Sequence, residues 1–352
     1  MKLFSTEQVS RWHPDKVCDQ ISDAILDACL KQDKRSHVAC ETMFKGTTVV
    51  LGGEITTEAK VEYADVALRT AAKLGYKCDR VINMIENQSP EINQGIGDEG
   101  AGDQGMMYGY ACNDTESKLP YGFDLANRII ASIEDGVTQK DSPLLGDAKC
   151  QVTVDLSAPP DIESVEKVLV SVCHKEGYSR DHIRRYITSK LFDLGIDDGT
   201  VDICVNPAGA WTIGGPAADC GLTGRKIVCD QYGGYCAVGG GAFSGKDPSK
   251  VDRSAAYMAR ALACHYVDAF NLKDCEVQLA YAIGLRHPVS VSVRCRDLRG
   301  GDNPSIARII EHEVENNFDL SPSGIIRRLD LLKPRYEEIA AGCHYREDFW
   351  RV

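Results

Sequence analysis

Apolar residues recur at helical spacing just after His13-Pro14-Asp15-Lys16. Val17, Ile21, Ala24, Ile25 and Ala28 form the stripe, and Asp19, Asp23 and Asp27 are assigned to other faces. Pro14 suits a first helical turn, where its missing N–H costs nothing. The period then changes to two. Residues 37–44 and 48–55 read as a hairpin turning at Lys45-Gly46-Thr47, and a helix is expected over 63–74. The same order returns twice. A helix over 123–134 precedes strands at 150–156 and 167–172 and a helix over 180–192. A helix over 252–269 precedes strands at 276–283 and 288–293, turning at Leu285-Arg286-His287, and a helix over 305–314. Three helix–hairpin–helix units predict an α+β chain. The expected fold is three similar domains in a pseudo-threefold arrangement, each a mainly antiparallel sheet with helices on one face. The domains are assigned to residues 1–98, 99–212 and 213–352. The units are not alike in sequence, so only the order of elements carries the repeat.

At 352 residues the chain is too long for one small core. Its net charge of −12 argues against general nucleic-acid binding. In so acidic a chain, a local cluster of cations marks a ligand. No apolar run approaches the ~20 residues of a membrane span, and Met1–Glu7 shows no apolar leader region. The fifteen cysteines include no C-x-x-C pair, so zinc is not expected, and a disulfide framework is not expected in a chain this large without a secretory signal. They read as reduced thiols filling a core, in a cytoplasmic protein.

The chemistry concentrates in Gly239-Gly240-Gly241-Ala242-Phe243-Ser244-Gly245-Lys246-Asp247-Pro248-Ser249-Lys250. Glycines let backbone N–H groups crowd an anion. From Gly240 the run nearly spells a Walker A loop, but Asp247 stands where Ser or Thr binds magnesium. That mismatch disfavours a P-loop kinase. A second cluster, Gly221-Leu222-Thr223-Gly224-Arg225-Lys226, lies just upstream, and two adjoining glycine-plus-cation clusters suit a polyphosphate. Asp15, Asp103 and Asp252 are candidate magnesium carboxylates, because Mg²⁺ takes a few oxygens and keeps several waters. Lys149, Arg225, Lys226, Lys246 and Lys250 are candidate phosphate cations. Gly100–Gly105, which carries Asp103, reads equally well as a tight turn. Glu41 and Glu54, taken singly, read as solvent-facing strand residues, and Asp147-Ala148-Lys149 as a strand-edge ion pair.

Together these stretches resemble the S-adenosylmethionine synthetase family. The resemblance runs through His13–Lys16, Ala39–Thr42, Gly52–Thr57, Gln88-Ser89-Pro90, Gly100–Gly105, Asp147–Lys149, Gly221–Lys226 and Gly239–Ala256, and extends almost to the C-terminus. It implies that methionine sulfur attacks C5′ of ATP and expels tripolyphosphate, which is cleaved to pyrophosphate and phosphate. It also implies three α+β domains, Mg²⁺ (two per site) and K⁺. The expected assembly is a dimer with shared sites, as a dimer of dimers, with ATP and L-methionine as substrates and neither nucleic acid nor membrane as partner. By resemblance His13, Lys149, Arg225 and Lys246 are catalytic. Asp147, Ala210, Trp211, Asp219, Lys226 and Ala242 join them around ATP, and Glu54, Gln88, Asp219, Lys250 and Ile283 contact methionine. Asp15 and Asp252 are the Mg²⁺ ligands and Glu41 the K⁺ ligand.

The chain departs from the family pattern at Arg11-Trp12, where Glu-Gly is usual, at Ala210, at Ala217-Ala218 and at Val238. The segment between Gln88 and Gly100, a gate over the site in the family, is short. These departures motivate a second expectation, a non-catalytic paralogue that binds nucleotide or partners. No charged residue with a direct role is missing, so an active member is the leading expectation.

Overall fold

Each expected hairpin forms the nucleus of a sheet. The computed structural model describes residues 1–87, 100–197 and 199–346. Strand β1 (Leu3–Val9) leads into α1 (Pro14–Gln32), β2 (His37–Lys45), β3 (Thr48–Thr56), α2 (Tyr63–Lys73) and β4 (Arg80–Glu86). Then come β5 (Gly105–Cys112), α3 (Tyr121–Thr138), β6 (Leu144–Asp155), β7 (Val165–His174), α4 (Arg180–Phe192) and β8 (Asp202–Val205). Short α5 (Gly215–Ala218), β9 (Gly221–Leu222) and α6 (Ile227–Asp230) precede the long α7 (Val251–Ala269). β10 (Asp274–Tyr281), β11 (Ser290–Arg296), α8 (Pro304–Asn317), α9 (Pro322–Arg328) and α10 (Tyr336–Ile339) follow.

The sheets have the orders β4-β3-β2-β9, β1-β6-β7-β8 and β11-β10-β5. In each, the first hairpin strand pairs antiparallel on its other side with a strand from a distant stretch of chain. β9 joins β2, β1 joins β6 and β5 joins β10. In two of them, the second hairpin strand is followed by a helix and a parallel strand, β4 on β3 and β8 on β7. The fold is thus three similar α+β units laced together by exchanged strands. One continuous apolar core spans the sheets of β2 and β10 with α1 and α7, and a second lies under the sheet of β6.

The third hairpin is shifted from its expected positions. β10 and β11 each lie two residues off, leaving a longer connection. Gly284 donates to the Ala101 carbonyl and Ala101 to that of Leu285, so the connection is pinned to another loop instead of closing a tight turn. β1 escaped the pattern reading because its inward positions include Thr6 and Gln8. These buried side chains bond the Gly233 and Cys229 carbonyls. β5 escaped because Gly109 interrupts it. A Cβ there would lie 1.9 Å from the Ala259 backbone, so glycine is what lets α7 lie against the strand.

Asp19, Asp23 and Asp27 lie off the apolar stripe, as expected, but they do not face solvent. The spacing of four stacks them with Asp15 along one stripe of α1, and all four are buried. Helix α1 is covered on nearly every side. Asp15 accepts the N–H of Leu222 at 3.0 Å, Asp19 that of Gly224 at 2.9 Å and Asp23 that of Gly245 at 2.8 Å. Asp27 accepts those of Tyr336 and Glu337 at 3.0 and 3.1 Å. One helix therefore carries four anchors for segments between residues 222 and 337. Asp23 also takes two 2.7 Å bonds from the buried Arg253 of α7, whose guanidinium lies 4.2 Å from the Tyr336 ring centroid.

All fifteen cysteines are free thiols and eleven are buried, which fits their reading as core residues. No helix among the described residues is long and apolar enough to cross a membrane.

Removing one partner of a buried pair strands the other charge. Asp23→Ala is expected to lower unfolding free energy by about 3–5 kcal/mol, read from the guanidinium midpoint. Asp23→Leu combined with Arg253→Met is expected to recover most of that loss.

Candidate active site

His13 caps α1. Its Nδ1 accepts the Asp15 N–H at 3.2 Å, which leaves the ring proton on Nε2. Burial, followed by the charges of Lys226 and Lys149, lowers its pKa to about 3. The imidazole is neutral at physiological pH and offers one N–H. Beside it, Asp15 takes Lys226 Nζ at 2.6 Å and faces Arg225 Nε at 3.5 Å. Burial, the largest single influence, pushes the Asp15 carboxyl upward, but the Lys226 bond and charge, the Leu222 N–H and His13 together hold the pKa below the usual carboxylate range.

The glycine-rich loop approaches from the other side. Gly239 packs where a Cβ would meet the Met106 carbonyl at 1.7 Å, so the loop lies on the start of β5. Gly245, at φ +83°, leaves no room for a side chain, since a Cβ would sit 2.0 Å from the Cys40 carbonyl. Lys246 follows it, and its Nζ lies 2.6 Å from Asp252 in the first turn of α7. A Cβ on Gly224 would fall 2.5 Å from the Ala242 Cβ, so the two glycine-plus-cation loops touch.

Asp247, at the Walker-like Ser/Thr position, is buried. It accepts the N–H groups of Val38 and Ser249 and the ammonium of Lys250, and so fastens the loop to β2. Burial opposes its charge, but Lys250 and these bonds keep its pKa low. Lys250 is turned toward Asp247 at 2.6 Å.

Asp147 is buried beside the N-terminus of α5. Its Oδ2 accepts the Gly215 N–H at 2.7 Å, and its Oδ1 has no partner. Burial pushes its pKa up to about 6, against the pull of Gly215 and Lys149. Lys149 is exposed on β6, two residues on. Arg11 pairs with Glu134 at 2.9 Å, and Trp12 lies against Gly146, where a Cβ would be 2.2 Å from the indole. The substituted pair therefore braces the wall next to Asp147. Trp211 exchanges backbone and ring bonds with His174, and its Nε1 donates to the Ile213 carbonyl at 2.7 Å.

Glu41 and Glu54 lie diagonally on the outward face of β2–β3, opposite Gly52 and Ala39. Burial and then the Glu54 charge raise the Glu41 pKa, while Lys246 pulls it down, so this face joins the glycine loop. Asp103 and Ile283 flank the end of the β5–β10 pair where Gly105 meets Tyr281, near Asp252. Ala210, Asp219 and Ile283 are exposed. Gln88 and the short segment before Gly100 lie outside the described residues.

The fold gathers His13, Asp15, Arg225 and Lys226 at the α1 end and Lys246 with Asp252 at the α7 end, across touching loops. Asp19, Asp23, Asp230 and Arg253 were missed by sequence reasoning, and Lys16 was singled out only as an ammonium at the start of a helix. The i, i+4 spacing of the aspartates was the available signal.

Models of the S-adenosylmethionine synthetase N-terminal, central and C-terminal domains match residues 1–98, 98–211 and 213–351. The chain belongs to the S-adenosylmethionine synthetase family. Similar relatives include the S-adenosylmethionine synthases of Treponema denticola, 44% identical over 98% of this chain and 94% of that one, and of Salinibacter ruber, 43% identical over 97% and 93%. The solved structure of an unusual S-adenosylmethionine synthetase from Campylobacter jejuni superimposes with a TM-score of 0.88 at 33% identity, covering 99% of this chain and 97% of that one. The chain is an S-adenosylmethionine synthetase, a transferase that makes S-adenosylmethionine from ATP and methionine.

A depressed histidine pKa has a definite sign. The unfolded chain takes up the proton first, so the stability tied to His13 falls as pH drops from about 6.5 toward 3 and is constant above. The kcat/KM for ATP, which reports the free enzyme, is expected to show no acid limb from His13 between pH 5 and 8. His13→Gln should lower the profile without changing its shape over that range.

Proposed function

We propose that synthesis proceeds by direct displacement on a polyphosphate held between the two glycine-plus-cation loops. The methionine sulfur attacks C5′ with a free lone pair, the C5′–O bond breaks, and tripolyphosphate leaves with the electron pair. The sulfur loses no proton, so no general base is required. Neutral His13 donates its Nε2 proton in a hydrogen bond to the departing oxygen. Lys149, Arg225, Lys226 and Lys246 balance charge on the leaving phosphates, and preorganised cations are the largest available contribution to lowering such a barrier. The same cations hold tripolyphosphate for its cleavage to pyrophosphate and phosphate. Asp147, Ala210, Trp211, Asp219 and Ala242 complete the nucleotide site, and Glu54, Gln88, Asp219, Lys250 and Ile283 the methionine site.

The observation that carries this reading is the closed pairing of loop cations with carboxylates, Lys226 on Asp15 and Lys246 on Asp252. A polyphosphate attracts the ammonium of each pair and frees the carboxylate for a hard cation. The donor set fits Mg²⁺, which needs only one or two carboxylates besides phosphate and water. Among the described residues no group of three His, Cys, Asp or Glu side chains forms a protein-only metal cage. Asp15 and Asp252 would hold Mg²⁺, with Asp103 nearby, and Glu41 would hold K⁺. Bound cations would add to the neutralisation of phosphate charge.

The outward face of the β4-β3-β2-β9 sheet carries Glu41 and Glu54 beside Met43 and Met84, 40% and 63% exposed, and Leu222 of β9, 37% exposed. A second copy covering that face would bury the apolar residues and place both glutamates at a shared site. A dimer, associating into a dimer of dimers, is the assembly this supports. Domain boundaries at 98/99 and 212/213 and a cytoplasmic location complete the reading.

Incubation with ATP, methionine, Mg²⁺ and K⁺ is expected to yield S-adenosylmethionine, pyrophosphate and phosphate. Transfer of a single γ-phosphoryl group, or no product, would contradict the reading. Lys246→Met is expected to cut kcat by about two to three powers of ten, and near-normal turnover would remove Lys246 from the site.

A further inference from the structure

The loops that carry the phosphate-facing cations are rich in glycine and have few side chains of their own to bury. Helix α1 supplies the anchor. Gly224, at φ +78°, donates its N–H to Asp19 Oδ1 at 2.9 Å, and Arg225 and Lys226 come next in the chain. Gly245, at φ +83°, donates to Asp23 Oδ1 at 2.8 Å, and Lys246 comes next. The same device therefore occurs twice, one helical turn apart. Each anchoring carboxylate is fully buried and has a buried counter-cation. Lys16 Nζ lies 3.0 Å from Asp19 and 2.6 Å from Asp230, and Arg253 holds Asp23 through two 2.7 Å bonds.

Asp230 ends α6, the helix that begins directly after Lys226. Lys16 thus ties the Arg225-Lys226 dipeptide at both ends, through Asp19 in front and Asp230 behind. A left-handed glycine without an anchor rotates cheaply. Rotation at Gly224 or Gly245 would swing the following cation, and a misplacement of about 1 Å can cost roughly a hundredfold in rate.

We propose that Asp19 and Asp23, with Lys16 and Arg253 as their counter-cations, are positioning residues that fix where Arg225-Lys226 and Lys246 meet the polyphosphate. They do so by holding the N–H of the left-handed glycine that precedes each cation. They touch neither substrate, and they act through the loops. The proposal rests on the reading of those cations as phosphate ligands.

The test is a mutant cycle read as affinity for tripolyphosphate alone, by isothermal titration calorimetry on the full chain, with folding checked by near-ultraviolet circular dichroism. Asp19→Ala is expected to weaken binding about tenfold, the scale of one lost charge-assisted hydrogen bond. In an Arg225→Ala/Lys226→Ala background the same change is expected to weaken it less than about twofold, because the cations it positions are gone. An equal factor in both backgrounds would make Asp19 merely structural and overturn the proposal. If Asp19→Ala does not fold, Asp19→Ser, whose shorter side chain falls short of the Gly224 N–H, takes its place in the same cycle with the same two outcomes. An Arg225→Ala/Lys226→Ala chain that binds tripolyphosphate as tightly as the unaltered one removes the phosphate assignment itself, and the positioning role with it.

Discussion

The interaction on which the site depends is the bond from a buried α1 carboxylate to a loop N–H. A loop that must wrap a polyphosphate needs glycines, because each Cβ would keep the backbone away from the anion. The same glycines deprive the loop of side chains to bury, so apolar packing cannot fix it. Backbone N–H groups are what such a loop has to offer a scaffold. A carboxylate accepts them with charge-assisted strength, about 1.5–3 kcal/mol each. Asp15, Asp19 and Asp23 do this for Leu222, Gly224 and Gly245. Buried carboxylates then need buried cations, and Lys16 and Arg253 meet that need.

Such ion pairs are weak evidence for stability, since apolar residues of similar volume often do as well or better. Their value here is geometric. One ammonium, Lys16, lies between two carboxylates, and burial pushes Asp230 up to about 7 against the pull of Lys16. The arrangement carries an electrostatic cost that a purely structural helix would avoid. Two loops held in fixed register, with Lys226 closed on Asp15 and Lys246 on Asp252, are what the cost provides.

The exchanged strands serve the same end. β9 enters the β2 sheet just before Thr223, whose hydroxyl bonds to the Thr42 N–H and to Ser22. The loop with Arg225 and Lys226 is therefore already registered to β2 when it reaches Asp19. Lys246 pairs by its backbone with Ala39 on the same strand, and Asp247 clasps Val38. A single strand, β2, thus sets the spacing of both cation loops and also carries Glu41.

How much of this the sequence displays depends on which force places each residue. The three hairpins and their flanking helices are governed by apolar periodicity, and that is visible. β1 and β5 are governed by Thr6, Gln8 and Gly109, residues chosen for a particular partner across the fold, and periodicity does not register them. The cations of the site were legible because glycine beside lysine or arginine has a local meaning. The aspartates of α1 were not, because a charged residue on a helix ordinarily faces water, and the loops they hold lie some two hundred residues further along the chain. The i, i+4 repeat becomes informative only once α1 is known to be buried on nearly every side. In a helix whose surroundings are apolar, a regular acidic stripe has to meet donors. In a chain with two glycine-rich loops, backbone N–H groups are the donors in surplus.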